Sequence, residues 1–139
     1  MTQFEPLLEV TQILKEKALE KHRRNLDESA RLAQEIEQID ELRRSVQADS
    51  ETIGARQMLG ADALWQGWLL RKRAEFLRQA ALARAREFDS LAQARTAFSR
   101  AEAAKELDEK AREERRQKLL AREADTLEAL GTMRRFQNR

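Results

Sequence analysis

The amino-acid sequence predicts an all-α fold of two long helices, and three observations support this. Ala, Glu, Lys, Arg and Leu account for 86 of the 139 residues, a share typical of long helices and coiled coils. Only 4 glycines and 1 proline are present, so the chain can form few turns. Hydrophobic residues make up 41% and charged residues 37%, which is too little apolar surface for a thick globular core.

The first helix is predicted from about residue 5 to residue 48. Pro6 lies in the first turn, where a proline is tolerated, and Glu5 favours the positive end of the helix dipole. Apolar residues then recur at the three- and four-residue spacing of one helical face. They are Leu7, Leu14, Ala18, Leu32, Ile36, Ile39 and Val46. Polar residues interrupt this face at Lys15, His22, Asn25, Ser29 and Arg43, so it differs from a clean leucine-zipper repeat.

A turn is predicted over about residues 49–62, where small and polar residues collect. Gly54 and Gly60 are the two breaks, and Asp62 is a candidate N-cap for the next helix. The chain is expected to reverse direction here.

The second helix is predicted from about residue 62 to residue 131, with Gly131 as its C-terminal cap and a short tail over 132–139. Its apolar residues follow a heptad-like period at Leu69, Phe76, Ala80, Ala83, Leu91, Ala94, Phe98 and Ala101. A helix of this length spans on the order of 100 Å, against roughly 60 to 70 Å for the first. The second helix therefore projects from about Arg112 onward, unless a partner or a second copy covers it.

Charge is divided unequally between the two helices. Residues 1–60 carry 9 basic and 12 acidic side chains, and residues 61–139 carry 18 and 13. This asymmetry favours antiparallel pairing, and a second interpretation makes the basic groups into partner sites. The basic groups are Arg71, Lys72, Arg73, Arg78, Arg84 and Arg86 in one place and Arg134, Arg135 and Arg139 in the other.

The sequence predicts no catalytic, metal or cofactor site. His22 is the single histidine, there is no cysteine, and no glycine-rich phosphate loop is present. The net charge of +2 argues against a dedicated nucleic-acid binder. Nothing resembles a signal peptide or a membrane span, so a cytoplasmic protein without direct membrane insertion is expected.

Trp65 and Trp68 lie three residues apart, on one face of the second helix next to the predicted turn. Two interpretations are open. They form a small core that closes the turn, or they are exposed and mark a binding site.

Three parts of the sequence resemble the FliJ and YscO family, the small coiled-coil stalk proteins of flagellar and type III protein export. These are the opening run from Phe4 to Leu14, the entry to the second helix with its tryptophans, and the ending Leu127–Leu130 followed by Met133 and two arginines. The resemblance implies a long antiparallel two-helix coiled-coil hairpin whose joined ends enter the central hole of a hexameric export ATPase. The implied ATPase contacts are Leu7, Val10, Ile13, Leu14, Leu127, Leu130, Met133, Arg134 and Arg135.

The resemblance also implies a contact with the membrane-embedded export gate, through Gln38, Leu42, Phe76, Ala80 and Ala83, and export chaperones as further partners. The protein would then be peripheral at the inner-membrane export apparatus. This chain departs from the family at Ser45 and Asp49, where members commonly carry aromatic residues after the position of Leu42.

Two other functions stay open. In the first, the chain is a homodimeric structural coiled coil unrelated to export, and the projecting part of the second helix pairs with its own copy. In the second, the stripe from Arg71 to Arg86 binds nucleic acid, although the near-neutral total charge disfavours this.

Overall fold

The computed structural model describes residues 2–52 and 55–138, and for residues 49–52, 55–59 and 62 the description covers the backbone alone. The regular structure in this part of the chain is entirely helical. Helix α1 is Glu5–Thr52 and helix α2 is Ala55–Gln137. With 48 residues in α1 and 83 in α2, the expectation of an all-α chain with a longer second helix is confirmed.

The helices extend further than the sequence predicts. α1 continues to Thr52, α2 already begins at Ala55, and it passes through Gly131 to Gln137. No glycine among the described residues has a positive φ angle, so Gly131 is an interior helical residue and the expected cap is wrong. A helical glycine costs only about 1 kcal/mol relative to alanine, which the surrounding helix formers offset. Of the predicted turn, Ile53 and Gly54 lie outside the described residues, as does the side chain of Asp62.

Contacts divide the chain into two compact units. The first consists of Met1–Glu16 and Thr96–Arg139, and the second is Lys17–Arg95. Each unit contains part of α1 and part of α2.

In the second unit, buried and half-buried residues alternate at three- and four-residue steps on both helices, which is the heptad spacing of a coiled-coil seam. On α1 they are Ala18, His22, Asn25, Ser29, Leu32, Ile36, Ile39, Arg43 and Val46. On α2 they are Leu69, Arg73, Phe76, Ala80, Ala83, Glu87, Ser90 and Ala94. Leu32 and Leu69 are the largest apolar side chains that are fully buried, and they place the apolar core in this unit.

Part of this seam is held by hydrogen bonds between polar side chains. His22 Nδ1 lies 2.8 Å from Ser90 Oγ, and Ser29 Oγ donates to a carboxylate oxygen of Glu87 at 2.7 Å. The polar interruptions at His22 and Ser29 are thus seam residues that have partners on the facing helix. A satisfied polar layer of this kind specifies register more strongly than an apolar one.

In the first unit the seam has the same spacing and includes the predicted Ala101, but it lies one residue away from the predicted positions Leu7, Leu14 and Phe98. It runs through Leu8, Thr11 and Lys15 on α1, with Phe4 just before that helix, and through Ala97, Ala101, Ala104, Asp108 and Ala111 on α2. The expected seam residues Leu7, Leu14 and Phe98 are exposed instead. Leu7 and Leu14 are seven residues apart and therefore fit a heptad pattern in the sequence, although neither lies in the seam. At Phe98 the neighbouring alanines form the seam, since small side chains let the two helices approach closely.

Candidate functional site

An exposed surface lies at the end of α2, over residues 112–138, which we call the C-terminal segment. Every residue in it is exposed, as expected from the unequal helix lengths. Its apolar side chains include Leu127 at 69% and Leu130 at 57% exposure. Leu119, Leu120, Met133 and Phe136 are also exposed. Exposed apolar side chains of this kind are common at the surfaces where proteins bind partners.

The C-terminal segment is also basic at its end. Arg134 and Arg135 lie in the last turn of α2, where cations interact favourably with the negative end of the helix dipole. Both are exposed. The segment therefore offers leucine and methionine side chains followed by two cations, a combination suited to a partner with apolar and acidic groups.

The other predicted ATPase contacts form an exposed group on α1, the N-terminal cluster of Leu7, Val10, Ile13 and Leu14. Leu7, Val10 and Leu14 are spaced three and four residues apart, so they share a helical face. This face is separate from the seam, since the buried Thr11 and the half-buried Leu8 take the seam positions. The four residues are consequently available to a partner while the two helices stay packed.

Polar contacts fix the start of α1 beside α2 in the first unit. Thr2 Oγ1 donates a hydrogen bond to Oδ1 of the buried Asp108, and Arg112 Nε lies 2.9 Å from the other carboxylate oxygen. Arg112 also approaches Glu5 at 4.0 Å. The chain start is thereby held where the C-terminal segment begins.

The structure does not bring the two groups of predicted ATPase contacts onto one surface. Leu127 lies roughly 22 Å beyond Arg112 along α2 at 1.5 Å per residue, whereas Leu7 is half a turn past Glu5. The N-terminal cluster and the end of the C-terminal segment are two separate surfaces of the first unit.

The five predicted export-gate contacts divide by exposure. Gln38 and Leu42 are exposed and line a shallow groove on α1 together with Glu41 and Ser45. Phe76 and Ala80 are half-buried seam residues. Ala83 is only 3% exposed, so its side chain offers no surface to a partner while the seam is closed.

Trp65 and Trp68 are exposed in the second unit, at 41% and 43%. Their rings stack on each other with centroids 5.1 Å apart and planes inclined by 13°. Of the two interpretations, the exposed aromatic site agrees with these exposures, and the small core that closes the turn does not. The heptad could have indicated this, because the spacing that places Leu69 in the seam leaves both positions outside it.

No group of three or more metal-ligating side chains occurs among the residues that the structure describes. The imidazole of His22 is engaged with Ser90 in the seam. In the same part of the chain, neither helix has an apolar stretch long enough to cross a bilayer.

Comparison with protein-family models, with curated proteins and with solved structures finds no significant match to this chain.

Proposed function

We propose that this chain is a non-catalytic stalk of a flagellar or type III protein export apparatus. In this role it binds the hexameric export ATPase, promotes its assembly or activity, and links it to the export gate. The observation that carries the proposal is the uncovered C-terminal segment, whose apolar and basic side chains face solvent. Burial of such side chains by a partner releases free energy in proportion to the apolar area covered. The resemblance to the FliJ and YscO family supports the ATPase ring as that partner.

The proposed fold is a long antiparallel two-helix coiled-coil hairpin. Its support is the order of the contacts between α1 and α2 within each unit. In the second unit Lys21 bonds to Gln93, Ser29 to Glu87 and Asp40 to Arg73. In the first unit Glu5 lies 4.0 Å from Arg112, and Lys15 lies over Phe98. In both, the residue number falls on α2 as it rises on α1, which is the order that antiparallel helices give.

The two exposed surfaces of the first unit take different roles in the proposed complex. The end of the C-terminal segment enters the central hole first, because nothing in α1 covers it. This part of the segment contains Leu127, Leu130, Met133, Arg134 and Arg135. The N-terminal cluster begins about 25 Å behind Leu127 and contacts the rim of the ring. Acidic groups in the hole would attract the two arginines, and apolar groups of the ring would pack against the leucines.

The contact with the export gate is proposed for the exposed side of α1 in the second unit. Gln38 and Leu42 carry it, because both are accessible in their groove. The buried Ala83 acts only through helix packing. A protein that touches both ATPase and gate would be peripheral at the inner-membrane export apparatus, and export chaperones would meet it there.

The test is ATP hydrolysis by the purified export ATPase of the same cell, titrated with this protein while ring formation is followed by sedimentation. We expect stimulation that saturates near one chain per hexamer. Leu130→Glu should abolish it, because the charge would be desolvated in the ring. Leu82→Glu is the matched control, since Leu82 is similarly exposed at 55% but lies in the second unit, and it should leave stimulation unchanged.

The opposite outcome is absence of binding and stimulation, with the chain forming a dimer that survives dilution in light-scattering measurements. That result would replace the stalk by a homodimeric structural coiled coil, in which the C-terminal segments of two copies cover each other.

A further inference from the structure

An exposed aromatic and basic surface lies on α2 in the second unit, outside the surfaces assigned to the ATPase and the gate. Trp65 and Trp68 form its stacked centre, and Leu64 beside them is 76% exposed. Arg71 and Lys72 follow within two turns and are exposed. We call these five residues the tryptophan patch.

The patch faces away from the helix seam. Trp65, Trp68 and Lys72 are spaced three and four residues apart, so their side chains share one helical face. The seam residues Leu69 and Arg73 occupy a different face and are buried or half-buried. A ligand can therefore cover the patch without separation of α1 from α2.

The patch carries the positive charges of Arg71 and Lys72, and the carboxylate of Glu75, three residues further on, attracts Lys72. Between Asp62 and Glu75 the sequence has three cations and no acidic residue. Arg73 is paired with Asp40, so Arg71 and Lys72 are the two cations that the patch offers to a ligand. The ammonium group of Lys72 lies 5.8 Å from the ring centroid of Trp68. The next carboxylate, that of Glu75, accepts hydrogen bonds from Arg78 and Gln79.

We propose that the tryptophan patch adsorbs to the surface of an anionic lipid bilayer. Indole rings are favoured at the level of the lipid headgroups, because they combine a large apolar face with a polar N–H group. Exposed cations next to them are attracted by the negative surface potential. The patch is convex, since its members lie on successive turns of one helix, and a deformable headgroup layer conforms to such a shape. The helix lies in the interface and does not cross it.

Intrinsic fluorescence tests this proposal directly, because the chain has 2 tryptophans and both are in the patch. The full-length protein is titrated with vesicles of phosphatidylcholine alone, and with vesicles that also contain phosphatidylglycerol. With the anionic vesicles we expect a blue shift of the emission and co-sedimentation of the protein. Added salt should weaken both, because it screens the attraction. The neutral vesicles should give little change.

Two pairs of variants assign the effect to the patch. Arg71→Gln combined with Lys72→Gln should weaken partitioning roughly thirty-fold, the loss expected when two cations are removed from an anionic surface. The matched control is Arg23→Gln combined with Arg24→Gln, two adjacent exposed arginines of α1 in the same unit, which should bind like the wild type. Trp65→Ala with Trp68→Ala should abolish co-sedimentation, whereas Phe88→Ala, at 79% exposure in the same unit, should preserve it.

Three results would overturn the proposal. The first is an unchanged emission with every vesicle, and the second is equal binding to neutral and anionic vesicles. The third is a larger shift with polyglutamate than with anionic vesicles, which would indicate an acidic protein as the ligand. Because no ATPase is present, none of these results bears on the proposed stalk function. Circular dichroism of each variant confirms that the helices are retained.

Discussion

Arg73 of α2 donates a hydrogen bond from Nε to Oδ1 of Asp40 on α1 at 2.7 Å. Both side chains are about two-thirds buried, with exposures of 33% and 30%. The hydrogen bond from Arg73 holds the pKa of Asp40 below its ordinary value, against the desolvation that raises it. The pair joins the two helices in the part of the seam that also contains the apolar core.

Asp40→Asn is expected to lower the melting temperature at neutral pH, because it removes the charge that Arg73 faces. A carboxyl group with a lowered pKa in the folded state stabilises that state at pH values above its unfolded pKa, and this contribution is lost as the pH falls through the folded pKa. Since the unfolded pKa of Asp is about 3.9, the difference between variant and wild type should narrow below about pH 4. Thermal melts followed by circular dichroism over this pH range measure it.

The control for this experiment is Glu28→Gln. Glu28 pairs with Arg31 within α1, and such exposed pairs at three-residue spacing contribute only a few tenths of a kcal/mol. Equal melting temperatures for Asp40→Asn and Glu28→Gln at neutral pH would contradict the structural role assigned to the interhelical pair.

Leu69→Ala should destabilise the chain far more than Phe98→Ala. Leu69 is 0% exposed, and truncation of a buried leucine costs about 2 to 5 kcal/mol. Phe98 is 48% exposed and its ring contacts the ammonium group of Lys15 at 4.6 Å, a contact worth about 1 kcal/mol or less at an exposed site. Urea denaturation gives both values. A larger loss at Phe98 would place its ring in the seam, as the sequence pattern alone suggests.

Arg43→Leu should raise the free energy of unfolding. Arg43 occupies a seam position on α1, and its Nε is buried without a hydrogen-bond partner. A buried unsatisfied donor costs about 1 to 3 kcal/mol, and a leucine fits the heptad at this position. Arg44→Leu is the control, because Arg44 is exposed and bonded to Glu37. A lower stability for Arg43→Leu than for Arg44→Leu would mean that the arginine is better paired than the geometry indicates.

The sequence predicted the features that depend on composition and length. Two long helices, a longer second helix and an exposed end from Arg112 all follow from helix-forming residues with few glycines. The polar seam residues His22 and Ser29 were also recognisable, because they interrupt an apolar period. Their partners Ser90 and Glu87 were not, since spacing along one helix does not determine which residues face it.

The spacing of residues along the sequence could not determine which of two adjacent residues lies in the seam. Leu7 and Leu8 are adjacent, as are Ala97 and Phe98, and either member of each pair fits a period of three and four residues. The packing of the whole interface decides between them. It places Leu8 in the seam in preference to the equally hydrophobic Leu7, and Ala97 in preference to the larger Phe98. Ala83 was predicted both for the heptad-like period and for the gate contact, and it lies in the seam, whereas Gln38 and Leu42 are exposed.

Arg134→Ala combined with Arg135→Ala should weaken binding to the export ATPase without loss of helicity. Both side chains are exposed at the end of α2, so their removal leaves the seam intact, while any acidic group in the ring loses its counter-charge. Arg23→Ala combined with Arg24→Ala is the matched control in the second unit. Sedimentation with the ATPase measures binding. Equal affinity for the two double variants would exclude the C-terminal arginines from the contact.

The substitution Gly131→Ala tests whether Gly131 is an interior residue of α2 or the cap at its end. Gly131 lies within α2 without a positive φ angle, and a Cβ atom built on it meets nothing within 4 Å. Alanine is therefore expected to stabilise the end of α2 by about 0.5 to 1 kcal/mol, because glycine loses more backbone entropy in a helix. Helicity measured by circular dichroism should rise, and amide hydrogen exchange around Met133 should slow. At a cap with positive φ the same substitution would be strained. Lower helicity and faster exchange would therefore show that α2 ends near Leu130. Arg134 and Arg135 would then belong to a separate tail.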